Sequence, residues 1–276
     1  MRPPAIRSPW LYTVVGVIVT VILLSPLYWV LSGSLMTQRE LFSPHFSIWP
    51  HQFVFQNWSN ALVRLWPHFA TSAIVSVCTS ALTLLITAPA AYAMAWLKVR
   101  GRGAILSFMV TSQMLPAIVF VIPLFMLFSN PQLNLVNTLP GLILGDMTFT
   151  VPFALIMLGA YLREFPYQLV EAALVDGAGQ WRAFFSIVVP VTMTGMITVA
   201  IFSFLMPWGD LIFALSLITE SGLQPLTLEL FKAVGVYGID WSFLLPGSVL
   251  TALPAVFFVV VASRFIVAGF TRGALQ

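Results

Sequence analysis

Six long apolar segments divide the sequence, and they constrain the fold more than any other feature of the chain. Each has at least the roughly 20 residues that an α-helix needs to cross a hydrocarbon layer about 30 Å thick. Because lipid offers the backbone no hydrogen-bond partners, we expect each segment to be helical. The segments lie near Leu11 to Gly33, Phe69 to Leu97, Ala104 to Phe128, Thr138 to Leu162, Ile187 to Ile218 and Phe243 to Ala268.

The composition agrees with a membrane protein, because 59% of the residues are hydrophobic and only 8% are charged. That charged fraction is about a third of the one usual in soluble domains. The first segment follows Arg2 and Arg7 as a signal peptide would, but it is too long and lacks a cleavage motif, so we interpret it as a span. The single cysteine, Cys78, lies within an apolar segment, which excludes a disulfide framework.

The distribution of lysine and arginine predicts the orientation. With both termini in the cytoplasm, nine basic residues fall inside and three fall outside, in agreement with the positive-inside rule. Their scatter at the ends of apolar segments also argues against a nucleic-acid partner. The inner set is Arg2, Arg7, Lys98, Arg100, Arg102, Arg163, Arg182, Arg264 and Arg272; the outer set is Arg39, Arg64 and Lys232.

We therefore predict an all-α membrane protein with six transmembrane helices and both termini cytoplasmic. Residues 1–10 form a cytoplasmic N-terminus, and residues 11–276 form a single transmembrane domain. Residues 34–68 form an outside loop whose aromatic residues are typical of a segment lying along the membrane interface. The histidines His45, His51 and His68 fall in this loop without regular spacing or accompanying acids, so we predict interfacial histidines and no metal site.

Residues 163–186 form a cytoplasmic loop that is too polar to span a membrane and too apolar to be a plain solvated loop. Residues 167–175 place apolar side chains on one helical face, and Gly177 and Gly179 permit a sharp turn with positive φ. A second short amphipathic helix follows, because apolar residues recur at i, i+3, i+4 and i+7. These residues are Trp181, Phe184, Phe185 and Val188.

Two surroundings suit this helical hairpin. It could rest on lipid headgroups, as interfacial helices do. Alternatively it docks on a protein, and the acids Glu164, Glu171 and Asp176 favour this second interpretation because the inner leaflet is negatively charged.

The same loop contains a recognisable motif. Glu171, Ala172 and Ala173 are followed by Gly177 six residues after the glutamate, and Ile-Val-Val-Pro closes the loop at 187–190. This pattern resembles the EAA signature of the permeases of ATP-binding-cassette (ABC) importers. Other motifs resemble the carbohydrate-importer branch, in particular permeases similar to the smaller maltose-transporter subunit. They are Ser34-Leu-Met-Thr37, Pro50, Asn57-Trp58, Trp208-Gly-Asp210, Phe213-Ala-Leu, Pro225-Leu-Thr-Leu228, Asp240-Trp241, Leu253-Pro254 and the tail at 263–274.

This resemblance implies a type I ABC importer permease of the bacterial inner membrane, with several partners. A second permease completes the transmembrane unit, two ATP-binding subunits drive it, and an extracytoplasmic sugar-binding protein delivers the substrate. The chain itself has no GxxxxGK[ST] phosphate loop, so the resemblance assigns no cofactor to it and leaves ATP and Mg²⁺ to the partner subunits. The residues implied in coupling to the ATPase are Glu171, Ala172, Ala173, Asp176, Gly177, Trp181 and Phe184.

Two acids, Asp146 and Asp210, fall inside the fourth and fifth apolar segments. A carboxylate in hydrocarbon is costly, so each must face a polar cavity, a partner or water. One hypothesis is a sugar pathway lined by these acids with Gln113 and Trp208, since carboxylates accept hydroxyl hydrogen bonds and aromatic faces stack on sugars. The alternative is packing between subunits or hydration of a pore. Gly209 departs from the asparagine common in this branch and so removes a hydrogen-bonding side chain at this position.

Two other function classes fit the sequence less well. A secondary transporter usually has an inverted repeat and an intramembrane ion site, and neither is evident in the motifs. An intramembrane hydrolase needs a nucleophile, a base and an orienting acid on facing helices, and no histidine lies in an apolar segment to act as the base.

Overall fold

The computed structural model describes residues 9–43, 47–97, 99–235 and 238–273. Helices make up most of this part of the chain, and one short antiparallel hairpin joins two of them. The long helices are α1 (Pro9–Gly33), α3 (Phe55–Trp96), α4 (Arg102–Met114), α5 (Ile118–Phe128), α6 (Leu139–Arg163), α10 (Met193–Trp208) and α13 (Trp241–Gly273). The short elements are α2 (Gln38–Leu41), α7 (Gln168–Val175), α8 (Gln180–Ala183), α9 (Val189–Val191), α11 (Ile212–Leu217), a 3₁₀ turn (Ser221–Leu223), α12 (Leu226–Phe231), β1 (Val234–Gly235) and β2 (Gly238–Ile239).

Between four and six stretches of the described residues are long and apolar enough to cross a membrane. Four are single helices, in α1, α3, α6 and α13, and two are bent pairs that pass the same test only when their helices are taken together. The prediction of helical apolar segments is confirmed. The count of six spans and the orientation stay predictions, and Arg2, Arg7, Lys98 and His45 lie outside the described residues.

The third and fifth apolar segments are bent rather than continuous. Helices α4 and α5 meet at 107°, and the stretch 180–191 meets α10 at 79°. The first bend falls at Leu115, whose extended backbone is the conformation that a following proline imposes. The fifth segment also ends early as a continuous helix, because α10 stops at Trp208 and a new helix begins at Ile212.

The loop predicted at residues 34–68 is shorter in the structure. Helix α3 begins at Phe55, not near Phe69, and its 42 residues are about twice the number needed to cross a bilayer. The predicted loop 34–68 therefore reaches only to residue 54. His68 lies within this helix and not in a loop. Its ring nitrogen Nε2 is 3.7 Å from the Glu229 carboxylate.

The described residues between 9 and 65, together with those between 230 and 252, form one compact unit. Its contacts tie together motif residues that are distant in sequence. The indole N–H of Trp58 donates to the Ser34 hydroxyl (3.1 Å), and the Asn57 amide donates to the carbonyl of Met36 (3.4 Å). The guanidinium of Arg64 lies 3.9 Å from the ring centre of Phe243, a cation–π contact.

The described residues between 66 and 229, together with residues 253–273, form the second unit. Helix α6 is central to it and begins where the Thr138 hydroxyl accepts the backbone N–H of Gly141, an N-cap. Helices α6 and α10 approach closely at Gly195, where an added Cβ would lie 2.7 Å from the ring of Tyr161. Two apolar clusters fill the interior, one around Leu158 and Val188 and the other around Leu142 and Leu217.

A π-helical segment, Phe184–Val188, lies between α8 and α9. The backbone N–H of Val189 bonds to the carbonyl of Phe184, five residues back instead of four. Pro190 follows directly and lacks an N–H, and its ring would clash with the carbonyl four residues earlier in a regular α-helix. The wider π turn relieves this clash.

Candidate functional site

The turn in the loop 163–186 is a helix C-cap that requires glycine. Helix α7 ends at Val175, and Gly177 has φ = 83°, in the left-handed region. The N–H of Ala178 donates to the carbonyl of Ala173 (2.9 Å), and the N–H of Gly177 donates to that of Leu174 (3.1 Å). This pair of bonds is a Schellman motif, so the positive φ predicted at Gly177 is confirmed. Gly179 is different, because its φ of −73° is open to any residue.

Buried side chains on both sides of the turn anchor the loop within the second unit. Val170 lies before the turn, and Ala183 and Phe184 lie after it. Val188, just beyond the loop, belongs to the same buried cluster.

Polar and aromatic contacts from α3 complete the anchor. The hydroxyl of Tyr92 donates to the side-chain carbonyl of Gln180 (2.6 Å). The ring of Trp96 lies 5.2 Å from that of Tyr167 and 5.3 Å from that of Phe165. The C-terminal end of α3 therefore contacts the loop both before and after its turn.

The opposite side of the loop is an exposed surface that combines acids and apolar groups. Val175 is 87% exposed and Trp181 is 65% exposed, although both are hydrophobic. The rings of Trp181 and Phe185 stack at 6.1 Å with 22° between their planes. We call this set the loop surface; it consists of Glu171, Ala172, Val175, Asp176, Trp181 and Phe185.

The loop surface omits three of the predicted coupling residues, Ala173, Gly177 and Phe184, and adds Val175 and Phe185. Gly177 is exposed but forms the turn itself and carries no side chain. Phe184 was predicted to share a face with Trp181 and Phe185, but it is only 3% exposed and packs against Tyr92. The π turn explains this difference, because its extra residue rotates successive side chains away from a single helical face. Ala173 is half-buried beneath the loop surface.

Asp210 lies in the break between α10 and α11, and not within a helix as predicted. Its carboxylate accepts three backbone N–H groups of the first turn of α11, from Ile212 (3.1 Å), Phe213 (3.4 Å) and Ala214 (3.0 Å). Its backbone carbonyl accepts the hydroxyl of Thr227. In this conformation Asp210 therefore caps a helix, a role that the sequence pattern did not indicate.

Trp208, the last residue of α10, is buried between protein rings. It stacks on Phe204 at 5.5 Å and meets Phe69 edge-on at 5.5 Å. Its ring face is thus covered by protein in this conformation.

Asp146 lies about a third of the way along α6, as predicted, and is only 5% exposed. One of its carboxylate oxygens, Oδ2, has no hydrogen-bond partner in the described part of the chain. Helix α11, which Asp210 caps, packs on α6 next to Asp146, since a Cβ added at Gly145 would lie 3.1 Å from the side chain of Leu217. The amide of Gln113 donates to the carbonyl of Phe149, one turn further along α6 (3.1 Å). The structure thus brings Gln113 and both acids to one region of the second unit.

A stripe of buried hydroxyls lies along α3 and reaches α6 at Thr83, and it was not among the residues predicted from the sequence. The hydroxyls of Thr83 and Thr150 bond at 2.8 Å, and Thr150 lies one turn from Asp146. Ser76 and Thr79 are among the described residues whose buried hydroxyls have no partner. The stripe consists of Ser72, Ser76, Thr79, Thr83 and Thr87. Their spacing of i, i+4, i+7, i+11 and i+15 places them on one helical face, and this pattern is visible in the sequence.

Unpartnered buried polar atoms are rare in proteins and normally bond to water or to a ligand. Ser76, Thr79 and Asp146 therefore mark a polar interior within the helical unit. This arrangement can accept and donate hydrogen bonds to a hydroxylated molecule.

Comparison with known proteins identifies the chain's relatives. The family model described as "binding-protein-dependent transport system inner membrane component" matches residues 87–272. A diacetylchitobiose uptake system permease protein of Streptomyces coelicolor is 34% identical over 93% of this chain and 85% of its own. A trehalose transport system permease protein of Mycobacterium tuberculosis is 34% identical over 73% of this chain and 74% of its own.

A solved structure shares the fold. It is the crystal structure of a bacterial ABC transporter involved in the import of the acidic polysaccharide alginate. The match has a TM-score of 0.77 at 19% identity and covers 95% of this chain and 99% of that chain.

Proposed function

Because the chain belongs to the family of binding-protein-dependent transport system inner membrane components, we propose that it is a permease of an ATP-driven sugar importer. The two relatives described above transport sugars according to their names, which supports a sugar substrate. We propose six spans with both termini in the cytoplasm, each bent helix pair crossing the bilayer once. The protein then resides in the bacterial inner membrane.

The observation that carries the proposal is the loop surface. It presents an exposed, stacked aromatic pair beside the carboxylates of Glu171 and Asp176, on a hairpin whose other side packs against α3. An exposed apolar patch rimmed by charge is typical of a protein docking site. The aromatic pair gains by burial, and the carboxylates can pair with basic groups of a partner. We assign that partner as an ATP-binding subunit.

The remaining partners follow from the proposed family role. A second permease completes the pathway, two ATP-binding subunits hold ATP and Mg²⁺, and an extracytoplasmic binding protein delivers the sugar. Within this chain, we propose that the polar interior around Asp146, Gln113 and the α3 hydroxyl stripe contributes to the pathway when the bundle opens. Asp210 and Trp208 border this interior, and their covered state here belongs to one conformation of the transport cycle.

The coupling role is tested by a matched pair of glycine substitutions. Gly177→Val forces a β-branched residue to positive φ and should destroy the turn, whereas Gly179→Val sits at an ordinary φ with no atom within 4 Å of the added Cβ. We expect the first variant to insert normally but to lose ATPase co-purification and sugar uptake. The second should retain the fold of the turn.

The measurements are the yield of ATP-binding subunits with the tagged permease and uptake in reconstituted vesicles. Glu171→Lys should lower both, because it reverses the charge of an exposed carboxylate in the docking surface. Wild-type ATPase recovery and uptake for both Gly177→Val and Glu171→Lys would contradict the proposal.

The orientation is tested by labelling with membrane-impermeant thiol reagents, with Cys78 replaced. Cysteines at positions 102 and 180 should react only from the cytoplasmic side, and one at position 51 only from outside. Labelling of position 180 from outside would remove the loop surface from the reach of any ATPase.

A further inference from the structure

A cavity of about 240 Å³ lies between α3, α4 and α6 within the second unit. Its wall is mainly apolar and includes Leu106, Val110, Leu155 and Ile156. Two guanidinium groups, those of Arg102 and Arg163, line it as well. Arg102 is the first residue of α4 and Arg163 is the last residue of α6, and both side chains line this one cavity.

No acidic residue of the cavity wall neutralises the charges of the two arginines. Arg102 makes one long hydrogen bond, from Nη1 to the carbonyl of Ala95 at 3.4 Å. Arg163 has no ion pair or side-chain hydrogen bond with the described residues, and no acidic residue lines the cavity. An anion can therefore approach both guanidinium groups, which present donors in a planar fork suited to phosphate.

The apolar part of the cavity contains volume that no protein atom occupies. Gly159 of α6 lines it, and a Cβ added at this position would meet no heavy atom within 4 Å. Water fills such apolar volume poorly, because an ordered water needs two to four polar partners. The preferred occupant is thus apolar along most of its length and anionic at one end.

We propose that this cavity binds an anionic phospholipid, with the phosphate on Arg102 and Arg163 and an acyl chain along α4 and α6. Basic pockets between transmembrane helices at the cytoplasmic side bind the headgroups of such lipids. The site goes beyond the proposed sugar transport and depends only on the predicted orientation, which assigns both arginines to the inner leaflet.

The cavity adjoins the support of the loop surface. Trp96 forms part of the cavity wall, and its ring also packs against Phe165 and Tyr167 at the base of the loop. A bound lipid therefore packs against the same side chain that anchors the hairpin.

The test uses the complex purified from cells by a tag on this chain, with phospholipid binding followed by native mass spectrometry. The probes are phosphatidylglycerol and phosphatidylcholine of matched acyl chains. Three variants are compared with the wild type: Arg102→Gln with Arg163→Gln, Gly159→Leu, and the control Arg100→Gln with Arg182→Gln. The control removes two exposed basic residues predicted for the same membrane side, outside the cavity.

We expect the wild type and the control to prefer phosphatidylglycerol. The arginine variant should bind it roughly thirtyfold more weakly, because each basic group near an anionic headgroup contributes about 1 kcal/mol. Gly159→Leu should also lose it, since the new side chain occupies the acyl space while both charges remain.

Three results would overturn the site. They are wild-type binding by the arginine variant, wild-type binding by Gly159→Leu, and equal binding of the two lipids by the wild type. Competition by inorganic phosphate as effective as that by phosphatidylglycerol would show a simple anion site and would also refute a lipid site.

Discussion

Replacing Asp210 by alanine should weaken the first turn of α11 by about 2 kcal/mol. The carboxylate accepts three backbone N–H groups at 3.0–3.4 Å, and alanine leaves all three without their acceptor. Loss of an N-cap costs about 0.5–2 kcal/mol, and a hydrogen bond to a charged group contributes about 1.5–3 kcal/mol. We place the expected loss near 2 kcal/mol because the cap is both charged and partly buried.

The conservative variant Asp210→Asn refines this magnitude. Its single amide oxygen can still accept from Ile212 and Phe213, as Oδ1 does now, while the bond from Ala214 is lost. We therefore expect a cost of about 1 kcal/mol for asparagine, since neutral hydrogen bonds contribute about that much.

Amide hydrogen exchange of a peptide covering residues 212–217 measures this effect directly. A loss of 2 kcal/mol corresponds to roughly thirtyfold faster exchange through local opening, and 1 kcal/mol to about fivefold. Asp240→Ala is the matched control, because the Asp240 carboxylate accepts the N–H of Phe243 (3.3 Å) at the start of α13. Its effect should appear in the peptide beginning at Trp241 and not in α11.

Exchange and uptake together separate capping from sugar binding. Unchanged exchange of residues 212–217 in Asp210→Ala would refute the cap. If Asp210→Asn lowers uptake about tenfold while exchange stays at the wild-type rate, the carboxylate acts instead as an acceptor for the sugar.

Two further predictions concern packing and pH. Gly195→Ala should destabilise the protein by about 1–3 kcal/mol because the new Cβ overlaps the ring of Tyr161, and Gly159→Ala should not; thermal melting of the purified protein compares them. The backbone N–H of His51 donates to the Glu40 carboxylate (2.7 Å) and holds the pKa of Glu40 below its ordinary value of 4.5. This bond therefore stabilises the segment that joins Glu40 to His51 above that pH, and the stabilisation is lost as the pH falls through the lowered pKa. As the pH falls through this range, the rate of pepsin cleavage within residues 37–52 of the wild type should rise relative to the rate for Glu40→Gln. A ratio of the two rates that does not change with pH would contradict the assignment.

The sequence predicts helices well where hydropathy alone decides them. The fourth apolar segment, predicted from Thr138 to Leu162, is α6 to within one residue at each end. Its N-terminus coincides with the cap at Thr138, where a change in composition and a capping side chain fall together.

Hydropathy fails where a helix leaves the bilayer. The first turns of α3 contain Arg64 and His68, so the segment resembles a loop in composition. Its helical form depends on partners distant in sequence, such as Ser34 for Trp58 and Phe243 for Arg64. A local pattern does not reveal such partners.

The loop 163–186 shows both outcomes within a few residues. Glycine in a short polar turn correctly predicts the positive φ of Gly177, because few other residues adopt that conformation. The exposure of Trp181 and Phe185 with the burial of Phe184 was not predictable from a spacing of 3.6 residues per turn, since the π segment breaks that period.

The π segment also makes chain length, and not only side-chain identity, a determinant of this surface. Each residue of an α-helix turns the chain by about 100°, so a one-residue deletion that restores the α-helical period rotates everything before it by about that angle. Trp181 would then leave the exposed side on which it stacks with Phe185. A point substitution changes one side chain of this loop. Deletion of one residue between 184 and 188, in contrast, would change the orientation of the whole hairpin.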